Sequence, residues 1–220
     1  MDETGDGSNR EIKRIYGMIE AITLGQTFYR ARISDELVRK LNAKMDVLIR
    51  EKEEKSAVSY LSGKIKRSWF AKWYVELDDG NEIKGAFEYA LNNLTKDSAF
   101  HQYRCNMDNA WIFDQMEGEY QTTHKHSGQS PVGMASVLFL NVPDFGEEYT
   151  ETSEPHNGKT TLILNCNGQF MDTDYLITPE VGDLWIFPYD VKHVVYPFRG
   201  PGIRRGMSIN YDVWPEKIKE

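Results

Sequence analysis

From about residue 108 onward the chain is made of short apolar runs, and this most narrows what it can fold into. Residues 111–116, 135–142, 160–165, 182–188, 194–198 and 207–213 are each rich in β-branched, aromatic and aliphatic side chains, and Gly, Pro, Asn and Asp punctuate the intervals between them. Many short strands with no helical period between them predict a β-sandwich or jelly-roll barrel.

The first third reads differently. Ser34 is a good N-cap, with acidic Asp35 and Glu36 in the first turn, and Leu37, Leu41, Met45 and Leu48 recur at three- and four-residue steps. That spacing predicts a helix to about Lys52. A second helix is expected from Glu82 to Leu94, with Ile83, Phe87, Ala90 and Leu94 on one side, and the aromatic-rich 68–77 reads as a strand. Helices first and strands later is an α+β ordering. We expect a loose polar segment over 1–9 and a single domain over 10–220, in which 10–108 supports a core formed by 109–220.

Composition removes several function classes. Net charge is −8 with pI near 5.2, and an acidic surface argues against nucleic acid as a partner. The basic balance of the first third reads as solvated helix faces such as Arg39, Lys40, Lys44 and Arg50. No apolar run is long enough to cross a bilayer, and the opening MDETGDGSNR has no secretory pattern. Cys105 and Cys166 lie far apart with no CxxC, which reads as reduced thiols in a cytoplasmic setting.

Chemistry concentrates in the histidines. His124-Lys125-His126 places two imidazoles on one side of an extended segment and Lys125 on the other. Such a pair can meet one metal ion, or it can be two surface histidines. His193 follows the turn and strand of 182–188 and opens the next apolar run. It is either a third ligand or a core histidine bonded to backbone. In 204–210 (RRGMSIN), alternation puts Arg204, Gly206, Ser208 and Asn210 on one face and Arg205, Met207 and Ile209 on the other. A guanidinium beside a hydroxyl and an amide suits a carboxylate ligand; equally, both arginines can pair with surface acids.

HxH, a distal His and an Arg eleven residues later resemble the Fe(II)- and 2-oxoglutarate-dependent oxygenases. The resemblance covers roughly 111–214 and is nearest to uncharacterised phage and bacterial members with an H-x-H-x-G segment, here His124 to Gly128. It extends to their G-D-L-x-x-F-P…H-x-V-x-P-F…R-x-S-x-S-x-N run, here Gly182–Pro188, His193–Phe198 and Arg204–Asn210. It implies a double-stranded β-helix (jelly-roll) core with N-terminal helices packed on it. It also implies Fe(II) on His124, His126 and His193, and 2-oxoglutarate with its far carboxylate on Arg204, assisted by Ser208 or Asn210. The implied activity is hydroxylation of a C–H bond in a small-molecule or peptide substrate, using O2 and releasing succinate and CO2. Gln115, Tyr120 and Thr122 are candidates for the substrate entrance. The sequence leaves the substrate and oligomeric state open.

Two positions depart from the family pattern. His126 stands where Asp or Glu is expected, and Gly206 stands where R-x-S has serine. Three neutral imidazoles leave the metal its full +2 charge; alternatively one of the pair binds and a carboxylate from elsewhere, or water, completes the set. Arg205 is the alternative clamp. The rival readings are a cupin-type three-His metal protein without 2-oxoglutarate, and a non-catalytic jelly-roll interaction module.

Overall fold

A two-residue period decides which side chain enters which layer of this fold. The computed structural model describes residues 19–24, 26–51, 56–96, 102–145, 156–164 and 172–216; segment 1–9 and Cys166 lie outside them. Eleven strands are present among these: β1 Ile19–Leu24, β2 Gln26–Arg32, β3 Arg67–Phe70, β4 Gln102–Gln115, β5 Gln121–His124, β6 Gly133–Asn141, β7 Thr160–Ile163, β8 Asp174–Ile177, β9 Asp183–Pro188, β10 Lys192–Val195 and β11 Arg204–Glu216. They form a seven-stranded sheet in the order β1-β2-β9-β6-β11-β4-β3 and a four-stranded sheet in the order β5-β10-β7-β8. Every pairing is antiparallel. With two helices added, this is the α+β, double-stranded β-helix (jelly-roll) architecture that the resemblance implies, one of the two folds the strand pattern allows.

The central strands of the large sheet are buried on both faces. On β6, Met134, Leu138 and Leu140 join the core shared with the helices, whereas Ala135, Val137 and Phe139 face the space between the sheets. On β9, Leu184 and Ile186 take the first side and Trp185 and Phe187 the second. β11 repeats the rule with chemical consequence: Met207, Ile209, Tyr211 and Val213 pack toward the helices, and the alternate Arg204, Ser208 and Asn210 line the interior cavity.

Helix α1 (Asp35–Glu51) buries Leu37, Val38, Leu41 and Met45 along the expected stripe. Burying an aliphatic side chain of this size stabilises the fold by about 1.5–3 kcal/mol. Ser34 Oγ accepts from the Leu37 amide at 3.2 Å and donates to Glu82 Oε1 at 2.6 Å, so one cap joins the starts of both helices. Helix α2 (Glu82–Thr95) is capped by Asp78, whose carboxylate accepts from the amides of Glu82, Ile83 and Lys84. It buries Ile83, Phe87, Ala90 and Leu91, while Leu94, expected on that face, is exposed.

Three local expectations change. The 68–77 run is a strand only to Phe70 and then a 3-10 turn over Lys72–Glu76. That turn carries Tyr74 inward to share a hydrogen bond of 3.0 Å with the Tyr211 hydroxyl. The N-terminal third also adds β1, β2 and β3 to the large sheet itself. β4 begins at Gln102 rather than near 111, because it pairs with β11 along its whole length, from Gln102↔Glu216 to Gln115↔Arg204. No helix among the described residues is long and apolar enough to cross a membrane.

Candidate metal and anion site

Strand pairing explains why distant histidines meet. β5 lies beside β10, and His124 is the direct register partner of His193. His126 follows the end of β5, held by its amide donating to the Tyr189 carbonyl at 3.1 Å. One ligand nitrogen from each of the three rings can be chosen so that all lie within 4.8 Å of one another. His126 Nε2 and His193 Nε2 are 3.4 Å apart. Neighbouring ligands on an ion with metal–nitrogen bonds near ~2.1 Å are separated by roughly 3.0–3.4 Å. His126 and His193 are therefore spaced as cis ligands of one ion, and His124 completes the same group.

The outer nitrogens set the tautomers. His124 Nδ1 faces the Thr122 carbonyl at 2.7 Å, His126 Nδ1 faces Asn210 Oδ1 at 2.9 Å, and His193 Nδ1 faces the Val191 carbonyl at 3.3 Å. All three partners are acceptors, so each Nδ1 carries hydrogen and donates, leaving each Nε2 a lone pair. Burial lowers the pKa of all three. His126 is pushed down to about 3 by burial and then by His124. His193 goes well below the usual imidazole range through burial and the other two rings, and His124 falls through burial. Neutral imidazole is the form that binds a metal. The His126 ring also lies nearly parallel to Trp111 (5.9 Å, 15°) and to His193 (5.1 Å, 14°).

The same cavity, about 240 Å³, is lined by Arg204, Ser208, Asn210, Thr160, Ser136 and Asp108 as well as the histidines. Arg204 is 1% exposed. It donates to Gln115 Oε1 at 3.0 Å and Thr160 Oγ1 at 2.9 Å, both neutral, and its guanidinium lies 5.1 Å over the Phe139 ring. Its Nε has no hydrogen-bond partner among the described residues. Burial lowers this guanidinium's pKa to about 9. A buried cation with neutral partners and a spare donor is costly by itself and calls for an anion. Arg205 is occupied elsewhere: it clamps Asp114 at 2.7 and 3.0 Å and Asp46 of α1 at 2.7 Å, on the helix side of the sheet.

The remaining candidates are placed as follows. Ser208 Oγ donates to the Ser136 carbonyl at 2.9 Å, and Asn210 bonds His126; neither is hydrogen-bonded to Arg204. Gln115, Tyr120 and Thr122 do not line the cavity. Gln115 is fully buried behind Arg204, Tyr120 packs under Lys64, and Thr122 supplies its carbonyl to His124. No carboxylate joins the metal-spaced group among the described residues. Sequence reasoning did not find Thr160 and Trp111. Thr160 was legible only as an alternating residue of a buried strand.

The glycine of the H-x-H-x-G segment has a steric reason. A Cβ on Gly128 would lie 2.0 Å from Asp212 Oδ1 and 2.9 Å from the Tyr189 hydroxyl. Asp212 is buried and accepts from Tyr189 Oη at 3.2 Å and from the Gln129 amide at 3.1 Å. The loop beyond His126 is thereby pressed onto β11.

Residues 109–210 match the family described as "Putative 2OG-Fe(II) oxygenase". The match spans 102 of the 220 residues and takes in all three histidines and Arg204. The family's cofactors are Fe(II) and 2-oxoglutarate; the three-imidazole centre suits the metal, and the unpaired donor on Arg204 suits a carboxylate. Solved structures agree on the fold. AviO1 from Streptomyces viridochromogenes is 12% identical, with 96% of each chain covered and a TM-score of 0.56. HygX from Streptomyces hygroscopicus, solved with nickel and 2-oxoglutarate bound, is 8% identical over 94% of this chain and 86% of that one, TM-score 0.54. A Pseudomonas putida prolyl-4-hydroxylase is 15% identical over 87% and 93%, TM-score 0.51. No curated protein sequence matches the chain.

Proposed function

We propose that this protein is an Fe(II)- and 2-oxoglutarate-dependent dioxygenase that hydroxylates a C–H bond of a small-molecule or peptide substrate. His124, His126 and His193 hold the metal through Nε2, and Arg204 receives the far carboxylate of 2-oxoglutarate. When bound, the iron with its co-substrate and O2 supplies the oxidising power that replaces C–H by C–OH, with succinate and CO2 as co-products. Gln115 and Thr160 hold the Arg204 fork, so the guanidinium meets a carboxylate without reorganising. Trp111, Phe187 and Val137 wall the cavity and limit water around the imidazoles. The observation that carries the reading is the buried, neutrally partnered Arg204 in the same cavity as three imidazoles at metal spacing.

The test is anaerobic titration of the purified chain with Fe(II) and 2-oxoglutarate. The expected result is a weak visible charge-transfer band, with calorimetric 2-oxoglutarate binding at one equivalent. Iron binding without 2-oxoglutarate binding would instead support a three-His metal protein of cupin type. Absence of both would support a non-catalytic module.

A further inference from the structure

The position two residues after His124 is a histidine where the family pattern has a carboxylate, so something must aim a third imidazole that the usual frame does not include. An imidazole binds metal through one nitrogen only if the other carries the proton and the ring is held in plane with the ion. His124 and His193 obtain this from backbone carbonyls, at Thr122 and Val191. His126 lies in the loop beyond β5 and obtains it from a side chain, Asn210 Oδ1, at 2.9 Å. Asn210 is 4% exposed. Its amide nitrogen donates to the Ser127 carbonyl at 3.5 Å, which turns the oxygen, not the nitrogen, toward His126.

Aromatic neighbours crowd the His126 ring. Trp111 and His193 both lie nearly parallel to the His126 ring, at 5.9 and 5.1 Å, and the Asn210 contact holds its Nδ1, leaving Nε2 beside His193 Nε2. β11 is the rigid element that delivers Asn210: it is paired on both sides, with Asn210 opposite Asn109 of β4 and Ala135 of β6.

We propose that Asn210 is a positioning residue for the metal centre: its carboxamide oxygen holds His126 as the Nδ1–H tautomer and aims Nε2 at the point shared with His193. This assigns Asn210 to the metal end of the cavity rather than to the carboxylate end beside Arg204. It rests on the reading of His126 as a ligand.

The experiment is Co(II) titration of the metal-free full chain, followed by its visible d–d spectrum, for wild type, His126→Ala, Asn210→Ala and Asn210→Asp, with circular dichroism on each. Asn210→Ala is expected to weaken Co(II) binding roughly 10–100-fold and to alter the d–d band. Asn210→Asp, which keeps the acceptor oxygen, is expected to restore wild-type affinity or exceed it. His126→Ala is expected to lose more than Asn210→Ala. If His126→Ala weakens binding but Asn210→Ala retains wild-type affinity and spectrum, the positioning role is wrong and the ligand assignment stands. If His126→Ala itself binds Co(II) as wild type does, the ligand reading fails and the proposal with it. Should Asn210→Ala not fold, Asn210→Asp decides: a 10-fold loss of affinity in a folded Asn210→Asp overturns the proposal.

Discussion

Replacing Arg204 by Met tests its proposed co-substrate role against the structural role of Arg205. The guanidinium is 1% exposed, and its partners Gln115 and Thr160 are neutral. In the metal-free protein it is therefore a buried charge without an ion-pair partner among the described residues. Met removes that desolvation penalty while keeping apolar contact with Phe139, and leaves two neutral acceptors to relax. We expect the metal-free variant to lie within about 1 kcal/mol of wild type, or above it. Its 2-oxoglutarate affinity should fall sharply. A charge-assisted hydrogen bond contributes roughly 1.5–3 kcal/mol, and at 1.4 kcal/mol per decade that is about 10- to 100-fold in Kd. The control is Arg205→Met. Arg205 pairs with Asp114, 3% exposed, and with Asp46. Its loss strands a buried carboxylate and should destabilise by about 3–5 kcal/mol, with co-substrate affinity unchanged in the folded fraction. Differential scanning calorimetry of the metal-free proteins and anaerobic titration calorimetry of the Fe(II)-loaded ones measure both quantities. Unchanged 2-oxoglutarate affinity in Arg204→Met would refute the assignment. A stability loss equal to that of Arg205→Met would refute the account of Arg204 as an uncompensated cation.

His193→Ala should lose stoichiometric iron, read by metal analysis after desalting, with the circular dichroism spectrum kept; full iron retention would remove His193 from the ligand set. Gly128→Ala forces a Cβ against the Asp212 carboxylate and should destabilise by about 1–3 kcal/mol, measured as the urea midpoint. A wild-type midpoint would show that the loop yields freely. Acid should destabilise the metal-free protein. Unfolded imidazoles take a proton near 6.5, whereas folded His126 resists until about 3 and His193 is likewise held neutral. The unfolded chain thus binds more protons below 6.5, and stability falls with pH there, by up to about 1.4 kcal/mol per pH unit for a ring as buried as His193. Urea midpoints between pH 7 and 5 test this, and a flat profile would contradict it.

Much of the site was legible as local pattern. Alternation along 204–210 separates Arg204, Ser208 and Asn210 from Arg205 and Met207, and the structure places these two sets on opposite faces of β11. Spacing likewise marked the apolar stripe of α1. Less was legible where the deciding neighbour is remote. Nothing near Asn210 in sequence indicates His126, 84 residues away, and nothing near Arg204 indicates Gln115 or Thr160. The 68–77 run carries strand-like residues, yet Tyr74 turns inward toward Tyr211.

The chain's own pattern determined its class of fold, the faces of its strands and the residue types able to hold a metal and a carboxylate, because periodicity and side-chain chemistry are local properties. Tertiary structure decided the pairings. The β5–β10 register brings His124 to His193, β4 and α1 each give Arg205 an acid while Arg204 meets none among the described residues, and β11 delivers an amide to His126. Those outcomes depend on strand register and burial between distant segments, which no local stretch of residues encodes.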